Sequence, residues 1–290
     1  MMQLDLFEHG RDVMLRNAVV EALRRYDAAA AETALAGLAS HHAADPWLPA
    51  MAVLCERLRR RPLAGALARP AAATVLKAAE EAVDPAARRV FGDDAKAWLA
   101  PLWCELARAL ANLAFDPCDE DVHAVPCFLR GGDWRAAIAH IESIPSWRRQ
   151  PVPVAWMIEA RAPVDDAARI WPLAAELAWM APARAKALLP RLPLVQFGHW
   201  VRRFEREFDG SEASDGFAWF PAWVLIEEGR LAEALRGAEP GSHAPPERCA
   251  RLIMDLLVLE RQGRHTELVA ARRRLRHAHE GLFALYLRSR

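Results

Sequence analysis

Residues 132–138 read GDWRAAI, a glycine and an aspartate that lead directly into an apolar run. The pattern recurs as GRLAEAL at residues 229–235 and as GRHTELV at residues 263–269. A weaker copy, YDAAA, stands at residues 26–30. One turn therefore recurs along the chain, each time ahead of a stretch with helical spacing.

This turn resembles the inter-helix turn of tetratricopeptide repeats, in which a glycine ends the first helix and a small residue lets the second helix pack closely. The second and third copies stand 34 residues apart, which is the period of that family. The Trp-x2-Leu-Gly part of the family pattern is missing, Leu268 replaces a small residue, and Pro145 and Pro240 cut two second helices short. The resemblance covers about half the chain and implies an all-α fold, an irregular α-solenoid of antiparallel, tetratricopeptide-like hairpins. A compact helical bundle is the alternative.

Helical spacing is common elsewhere, whereas strand patterns are weak. An apolar stripe from Val13 to Leu23, with Asp12 as N-cap, predicts a first helix that begins at residue 12. Prolines such as Pro85 are interpreted as helix ends, because proline removes a donor and restricts the residue before it. Further helices are predicted near residues 28–40, 47–60, 72–83, 94–114, 133–143, 165–180, 194–208, 217–229, 246–262 and 266–279.

The composition allows a large core, since 53% of the 290 residues are hydrophobic. We expect an N-terminal tail or arm at residues 1–11 and a helical repeat domain at residues 12–290, with a subdivision near residue 116. The 38 basic and 38 acidic residues balance, so no global field favours nucleic acid.

The expected location follows from the absence of two signals. The sequence has no continuous apolar run of about 18 residues, so we expect no membrane-spanning helix. Asp5, Glu8 and Asp12 stand where a signal peptide would be basic and then apolar, which predicts a cytoplasmic protein with no membrane partner. The five cysteines are irregularly spaced and are interpreted as reduced thiols.

The sharpest motif is QLDLF at residues 3–7. It resembles the pentapeptide with which bacterial replication and repair proteins dock onto the DNA sliding clamp. The resemblance implies an extended peptide in a pocket on the clamp. Gln3 would hydrogen-bond at the rim, Leu6 and Phe7 would fill the cavity, Leu4 would pack beside them, and Asp5 takes the third position.

The alternative for this segment is an arm that packs its apolar residues on the first helix pair. Leu4 and Phe7 are three residues apart and would continue the stripe that contains Leu15. Gly10 interrupts that stripe. A free docking tail therefore requires a break near Gly10 and exposed side chains at Leu6 and Phe7.

Four aromatic residues form a second candidate site. Phe217, Trp219, Phe220 and Trp223 carry more ring surface than one helix face can bury. Core filling is the default interpretation. A peptide-binding groove lined by these rings is the alternative, since solenoids bind partners on such surfaces.

The densest basic run holds Arg272, Arg273, Arg274 and Arg276. Guanidinium groups in such a run are suited to phosphate contacts. No aromatic residues or helix-turn-helix pattern accompany it. A solvated outer face is the favoured interpretation, and direct contact with nucleic acid is not expected.

A metal site and an enzyme are the remaining candidates. Cys118, His123 and Cys127 would supply three zinc ligands, but no partner pair follows at a known spacing, so a packed loop is favoured. No nucleophile elbow, phosphate-binding loop or metalloprotease helix is present. An enzyme would need a cleft that holds His41, His123 or His199 beside carboxylates.

The sequence therefore predicts a bacterial, cytoplasmic, non-enzymatic helical scaffold without cofactor or metal. Its partner would be a protein or peptide, and residues 3–7 would recruit it to the sliding clamp. The alternatives are a nucleic-acid accessory protein that uses the arginine run and an enzyme with no recognisable motif.

Overall fold

The structure, a computed structural model, describes residues 2–60, 63, 65–208, 215–241 and 243–290, and for residues 2–10 it describes the backbone alone. Every regular element in these ranges is helical, which confirms the predicted all-α class. The α-helices are α1 (Met2–Arg24), α2 (Ala28–His41), α3 (Leu48–Arg59), α4 (Arg69–Ala78), α5 (Asp84–Phe91), α6 (Ala95–Leu110), α7 (Ala124–Gly131), α8 (Trp134–Glu142), α9 (Pro151–Arg161), α10 (Ala167–Met180), α11 (Pro182–Leu188), α12 (Val195–Glu207), α13 (Phe220–Glu227), α14 (Leu231–Leu235), α15 (Pro245–Gln262), α16 (His265–Ala278) and α17 (Glu280–Arg288).

Short irregular helices complete the description. A π-helical turn, Ala79–Val83, joins α4 to α5. Four 3-10 segments lie at Gly92–Asp94, Trp147–Arg149, Leu189–Arg191 and Gly216–Trp219. Within the described ranges, none of the helices combines the length and the apolar character that crossing a bilayer requires.

The chain divides into two compact units, Met1–Ala136 and Ala137–Arg290. The boundary falls inside α8, downstream of the subdivision that the sequence placed near residue 116. In the first unit, α1 packs on α2, α2 on α3, α3 on α5, α5 on α6, and α6 on α7.

The second unit is built around α10 and α15. Helices α9, α11 and α14 all pack against α10, which is buried at nearly every position from Ile170 to Ala178. Helices α13 and α16 pack against α15, and α17 contacts α13 and α16. A helix buried on all sides needs an apolar sequence, and from Ile170 to Ala178 the one charged residue of α10 is Glu176.

The predicted turn at Gly132 ends α7 with two specific hydrogen bonds. Gly132 is left-handed, with φ +73°, and its N–H donates to the Leu129 oxygen at 3.2 Å. The Asp133 N–H donates to the Phe128 oxygen at 3.0 Å. This pair of bonds is the Schellman motif, which satisfies carbonyls left over at a helix end. The Asp133 carboxylate then accepts from the Ala136 N–H at 3.1 Å and starts the next helix.

The copy at residues 26–30, weak in sequence, forms the same structure. Tyr26 takes the left-handed position with φ +55°, and the Asp27 N–H donates to the Ala22 oxygen at 3.1 Å. Asp27 also caps α2 by accepting from the Ala30 N–H at 3.0 Å. The strain of a left-handed tyrosine is offset by packing, because its ring stacks on Trp98 at 5.6 Å between centroids.

The two copies that set the 34-residue interval differ from each other. Gly263 is left-handed with φ +65°, and the Arg264 N–H donates to the Leu259 oxygen at 3.1 Å, again in a Schellman motif. Gly229 is not left-handed, and α14 after it is only five residues long. The 34-residue interval therefore connects one Schellman turn, at Gly263, with one turn of a different kind, at Gly229.

Five helices that the sequence did not predict start in recognisable ways. Helices α9 and α11 begin with Pro151 and Pro182, where a missing N–H costs nothing. Helix α5 follows the π-helical turn without a break, and Pro85 is its second residue. Helices α7 and α17 start after His123 and His279, whose side chains accept backbone N–H groups as N-caps. The interpretation of Pro85 as a helix end was wrong, because the helical backbone runs from the π-helical turn through Pro85 to the end of α5.

A close approach between helices occurs where α7 meets α6. A Cβ atom at Gly131 would lie 2.6 Å from the Cys104 Sγ and 3.2 Å from the Ala100 carbonyl oxygen. The Cys104 thiol donates to the Gly131 oxygen at 3.8 Å. A hydrogen atom at this position is therefore what allows the two helices to touch.

We expect Gly131→Ala to lower the free energy of unfolding by about 1–3 kcal/mol, because the new methyl group overpacks the contact. In a Cys104→Ala background the loss should be smaller, since the sulfur is gone and the Ala100 carbonyl remains. Urea unfolding followed by circular dichroism measures both values.

Gly37→Ala in α2 is the matched control. The nearest atom to its added Cβ is Leu15 Cδ2 at 3.9 Å, so the methyl group fits. Helix propensity should then raise stability by up to about 1 kcal/mol. Equal effects at Gly131 and Gly37 would contradict the close packing.

Candidate functional site

The predicted clamp-docking segment, residues 3–7, belongs to α1. The backbone is helical from Met2 to Arg24 and continues through Gly10, so the structure shows no break between a tail and a helix that begins at Asp12. One glycine weakens a helix by about 1 kcal/mol, which a helix of this length tolerates. The side chains of the motif lie outside the described residues: Gln3, Leu4, Asp5, Leu6 and Phe7. Their exposure stays a prediction.

From residue 11 onward the structure also describes the side chains of α1 and the contacts that attach this helix to the rest of the first unit. The buried Asp45 carboxylate accepts from Arg16 Nε at 3.1 Å, from Arg16 Nη2 at 2.6 Å and from the Trp47 N–H at 2.7 Å. Burial acts to raise the pKa of Asp45, but these hydrogen bonds outweigh it and hold the pKa below its ordinary value. Asp12 also pairs with His42. These contacts fasten α1 to the segment between α2 and α3.

Three of the four predicted groove aromatics lie in the core of the second unit. Phe217, Phe220 and Trp223 are almost completely buried. Phe217 stacks on Phe220 at 4.6 Å between centroids, and Phe204 meets all three rings edge-on. These rings fill the core, as the default interpretation had it, and do not line a groove.

Trp219 is only partly buried and supports the start of α17. Its ring meets the His279 ring edge-on at 4.4 Å. His279 Nδ1 accepts from the Leu282 N–H at 3.1 Å and caps the helix. Burial lowers the pKa of His279, which favours the neutral ring that this acceptor role requires.

Arg272, the first arginine of the predicted phosphate-binding run, is used within the fold. Its Nε lies 3.2 Å from the Tyr286 hydroxyl, and its Nη2 lies 3.3 Å from Glu260 Oε1. The buried Tyr286 hydroxyl donates to Glu260, and Arg290 reaches the other oxygen of Glu260 at 3.3 Å. These residues join α15, α16 and α17, so Arg272 has a structural role.

The other three arginines of the run behave differently. Arg273, Arg274 and Arg276 are exposed on α16. None of them makes an ion pair or a hydrogen bond with a residue that the structure describes. The structure therefore separates one internal arginine from three that face solvent.

The proposed zinc ligands do not form a ligand set. His123 Nδ1 accepts from the Val125 N–H at 3.3 Å, burial raises the pKa of the Cys127 thiol to about 12, and Cys118 is exposed. Across the described part of the chain, no group of three histidine, cysteine or carboxylate side chains is placed to hold a metal ion. The packed-loop interpretation agrees with the role of His123 as an N-cap.

Sequence reasoning missed a buried glutamate on α10. Glu176 accepts from Arg148 Nε at 2.9 Å, from Arg148 Nη2 at 2.6 Å and from the Glu239 N–H at 2.7 Å. Burial raises the pKa of Glu176, and the hydrogen bonds from Arg148 oppose that rise. A lone acid in the apolar run WPLAAELAWM, residues 171–180, was the available signal.

A second buried glutamate lies in the first turn of α15. Glu247 accepts from the Gly241 N–H at 3.1 Å, the His243 N–H at 3.0 Å and Arg251 Nη2 at 2.8 Å. Burial alone would raise the pKa of Glu247, but these donors outweigh it and lower the pKa. The connection between α14 and α15 is therefore fixed in place by backbone N–H groups that donate hydrogen bonds to Glu176 and Glu247.

Two of the cavities that described residues line have the size of ligand pockets. One, of about 600 Å³, lies beside Glu176 and is lined by Arg148, Arg149, Trp179 and Glu239 among others. Much of its lining charge is neutralised internally, because Arg148 pairs with Glu176 and lies 3.6 Å from Glu239.

The other cavity, of about 660 Å³, lies in the first unit and has acidic and basic side chains in its lining. In its lining, Arg130 pairs with Glu80, and Arg88 pairs with Asp84 one turn earlier on α5. Internal pairing leaves neither cavity with a dominant charge for a ligand to match.

Comparison of the chain with protein-family models, with curated proteins and with solved structures found no match. Function must therefore be argued from the residues themselves.

Glu247→Gln should lower the free energy of unfolding by about 2 kcal/mol at neutral pH, because a charged acceptor of several hydrogen bonds is lost. The folded-state pKa of Glu247 is depressed, so its contribution is present above the unfolded pKa and is lost as pH falls through the folded pKa. The difference between wild type and variant should therefore shrink below about pH 4.5. Urea unfolding at pH 7 and at acidic pH measures it.

Glu267→Gln is the control for this variant. Glu267 pairs with Arg264 at 2.6 Å on the surface of α16, where solvent screens the interaction. Its replacement should leave stability nearly unchanged at neutral pH. A loss as large as that of Glu247→Gln would show that burial and backbone contacts are not what gives Glu247 its effect.

Proposed function

We propose that this chain is a non-enzymatic helical interaction protein that docks onto the DNA sliding clamp through residues 3–7. The observation that carries the proposal is the QLDLF sequence itself. Its helical units would stack hairpins in an irregular, tetratricopeptide-like manner and bind a protein or peptide partner. Three Schellman turns and the packed pairs α1–α2 and α15–α16 support the hairpin arrangement.

The positions of the three histidines that were candidates for catalysis support a non-enzymatic role. His41 is exposed, and its Nε2 contacts Arg11 at 3.0 Å. His123 caps α7, and His199 lies on the surface of α12. The enzyme hypothesis requires a histidine in a buried cleft beside carboxylates. His41 and His199 are exposed, and His123 uses its Nδ1 as a helix cap.

Docking requires residues 3–7 to leave the helix and become extended. Unwinding a helix from its end breaks about one backbone hydrogen bond for each residue released, and water takes over the freed groups, so the net cost of each bond is modest. The described anchors of α1 begin at Arg11 and Asp12, after the motif. The rest of α1 can therefore stay attached while the motif binds.

The expected affinity is modest. Burial of Leu4, Leu6 and Phe7 contributes about 1.5–3 kcal/mol for each side chain. Ordering of the segment and lost translational freedom offset much of that sum. We expect a dissociation constant near 1 µM, which corresponds to about −8 kcal/mol.

The test is a binding assay with purified bacterial sliding clamp. The wild type should bind in the micromolar range. A Gln3→Ala, Leu6→Ala, Phe7→Ala variant should lose at least about tenfold in affinity, since each lost apolar contact is worth more than 1 kcal/mol. Alanine keeps helix propensity, so α1 should remain folded.

Val13→Ala, Met14→Ala is the matched control. Both side chains are exposed on α1 outside the motif, and they follow positions 6 and 7 by seven residues. This variant should bind the clamp like the wild type. No binding of the wild type at tens of micromolar clamp, or equal losses in the two variants, would refute recruitment through the motif.

A further inference from the structure

Helix α16 has a buried side and a basic side. Its outward side bears Arg273, Arg274 and Arg276, all exposed and without partners among the described residues. We call these three residues the arginine face. The stripe that packs inward consists of Leu268, Ala271 and Leu275.

The two acidic residues that most closely precede the arginine face in the sequence are occupied by other arginines, and Glu280 follows the face at the start of α17. Glu267 pairs with Arg264 at 2.6 Å. Glu260 is shared by Arg272 and Arg290, each at 3.3 Å. The face therefore keeps uncompensated positive charge although the formal net charge of the chain is zero.

We propose that the arginine face binds the phosphate backbone of double-stranded DNA without reading its sequence. Guanidinium groups match phosphate oxygens in two-pronged hydrogen bonds. Arg273 and Arg276 are three residues apart, or about 4.5 Å along the helix axis. Duplex DNA carries one charge per about 1.7 Å of its axis, so the long side chains reach different phosphates.

The chemistry of the face favours DNA over a membrane or an acidic protein. An interfacial membrane helix needs an exposed apolar side, but the apolar side of α16 is buried and Val269 is its one large exposed apolar residue among those described. Protein interfaces are centred on aromatic or apolar anchors, and this face has none. Base reading would need side chains that recognise base edges in a groove, whereas exposed arginines on one helix suit phosphates.

The test uses the full chain and two labelled DNA duplexes of unrelated sequence, with binding followed by fluorescence anisotropy. The wild type should bind both duplexes equally at about 50 mM salt and about forty-fold more weakly at about 200 mM, as expected for three phosphate contacts. Arg273→Gln, Arg274→Gln, Arg276→Gln should bind at least tenfold more weakly at low salt. Its slope of log affinity against log salt should be shallower by about 2.7.

Two further variants distinguish an effect of the arginine face from an effect of the total charge of the protein. Arg169→Gln, Arg230→Gln, Arg236→Gln removes the same charge from exposed arginines of the second unit that pair with acids, and it should bind like the wild type. Replacement of the three face residues by lysine keeps the charge and should keep most of the salt dependence. Circular dichroism checks that each variant is folded.

This inference does not depend on clamp docking, because the assay contains no clamp and the N-terminal triple variant should bind DNA normally. Absence of wild-type binding at about 50 mM salt, where phosphate contacts are strong, would overturn it. Equal weakening by the two glutamine variants would overturn it too. Binding to phosphatidylserine vesicles without binding to DNA would assign the face to a membrane instead.

Discussion

The left-handed residue that ends a helix is the constraint on which the rest of this structure depends. At Tyr26, Gly132 and Gly263 one residue with positive φ closes a Schellman motif, and at Tyr26 and Gly263 the two helices that the turn joins pack on each other. Short helices are marginal alone, and α7 has only eight residues, so its stability comes from packing on α6. Gly131, which has no side chain, lets α7 approach α6 closely.

Buried carboxylates perform the corresponding task in the longer connections. Three buried carboxylates each accept one hydrogen bond from a loop N–H and another from an arginine guanidinium group: Asp45, Glu176 and Glu247. Loop N–H groups have no helical partner, so a charged acceptor removes the cost of burying them. Many arginines of this chain are consequently structural, and a count of basic residues says little about partners. The two functional proposals rest instead on a peptide at residues 3–7 and on three arginines without described partners.

Much of the fold was predictable because helices and turns are local. The spacing of apolar residues predicted the all-α class and most helices, and all four turn positions lie between consecutive helices. Which of the turns form a Schellman motif was not predictable from the sequence. Tyr26 is held in its strained conformation by Trp98, which is 72 residues away, whereas the better sequence match at Gly229 leads into a five-residue helix. Helices that begin with proline were missed because proline was taken only as a terminator.

The sequence by itself determined where most of the helices form, where the four turns lie and that QLDLF stands at residues 3–7, since each depends on neighbouring residues. Tertiary structure alone decided which side chains are available for function. It buried the rings of Phe217, Phe220 and Trp223, and it engaged Arg272 with Glu260 while leaving Arg273 exposed one position later. Burial and ion pairing join residues that are far apart in the chain, as with Arg148 and Gly237 across 89 positions. No local pattern encodes such distances, so the functional surface became visible only in the folded chain.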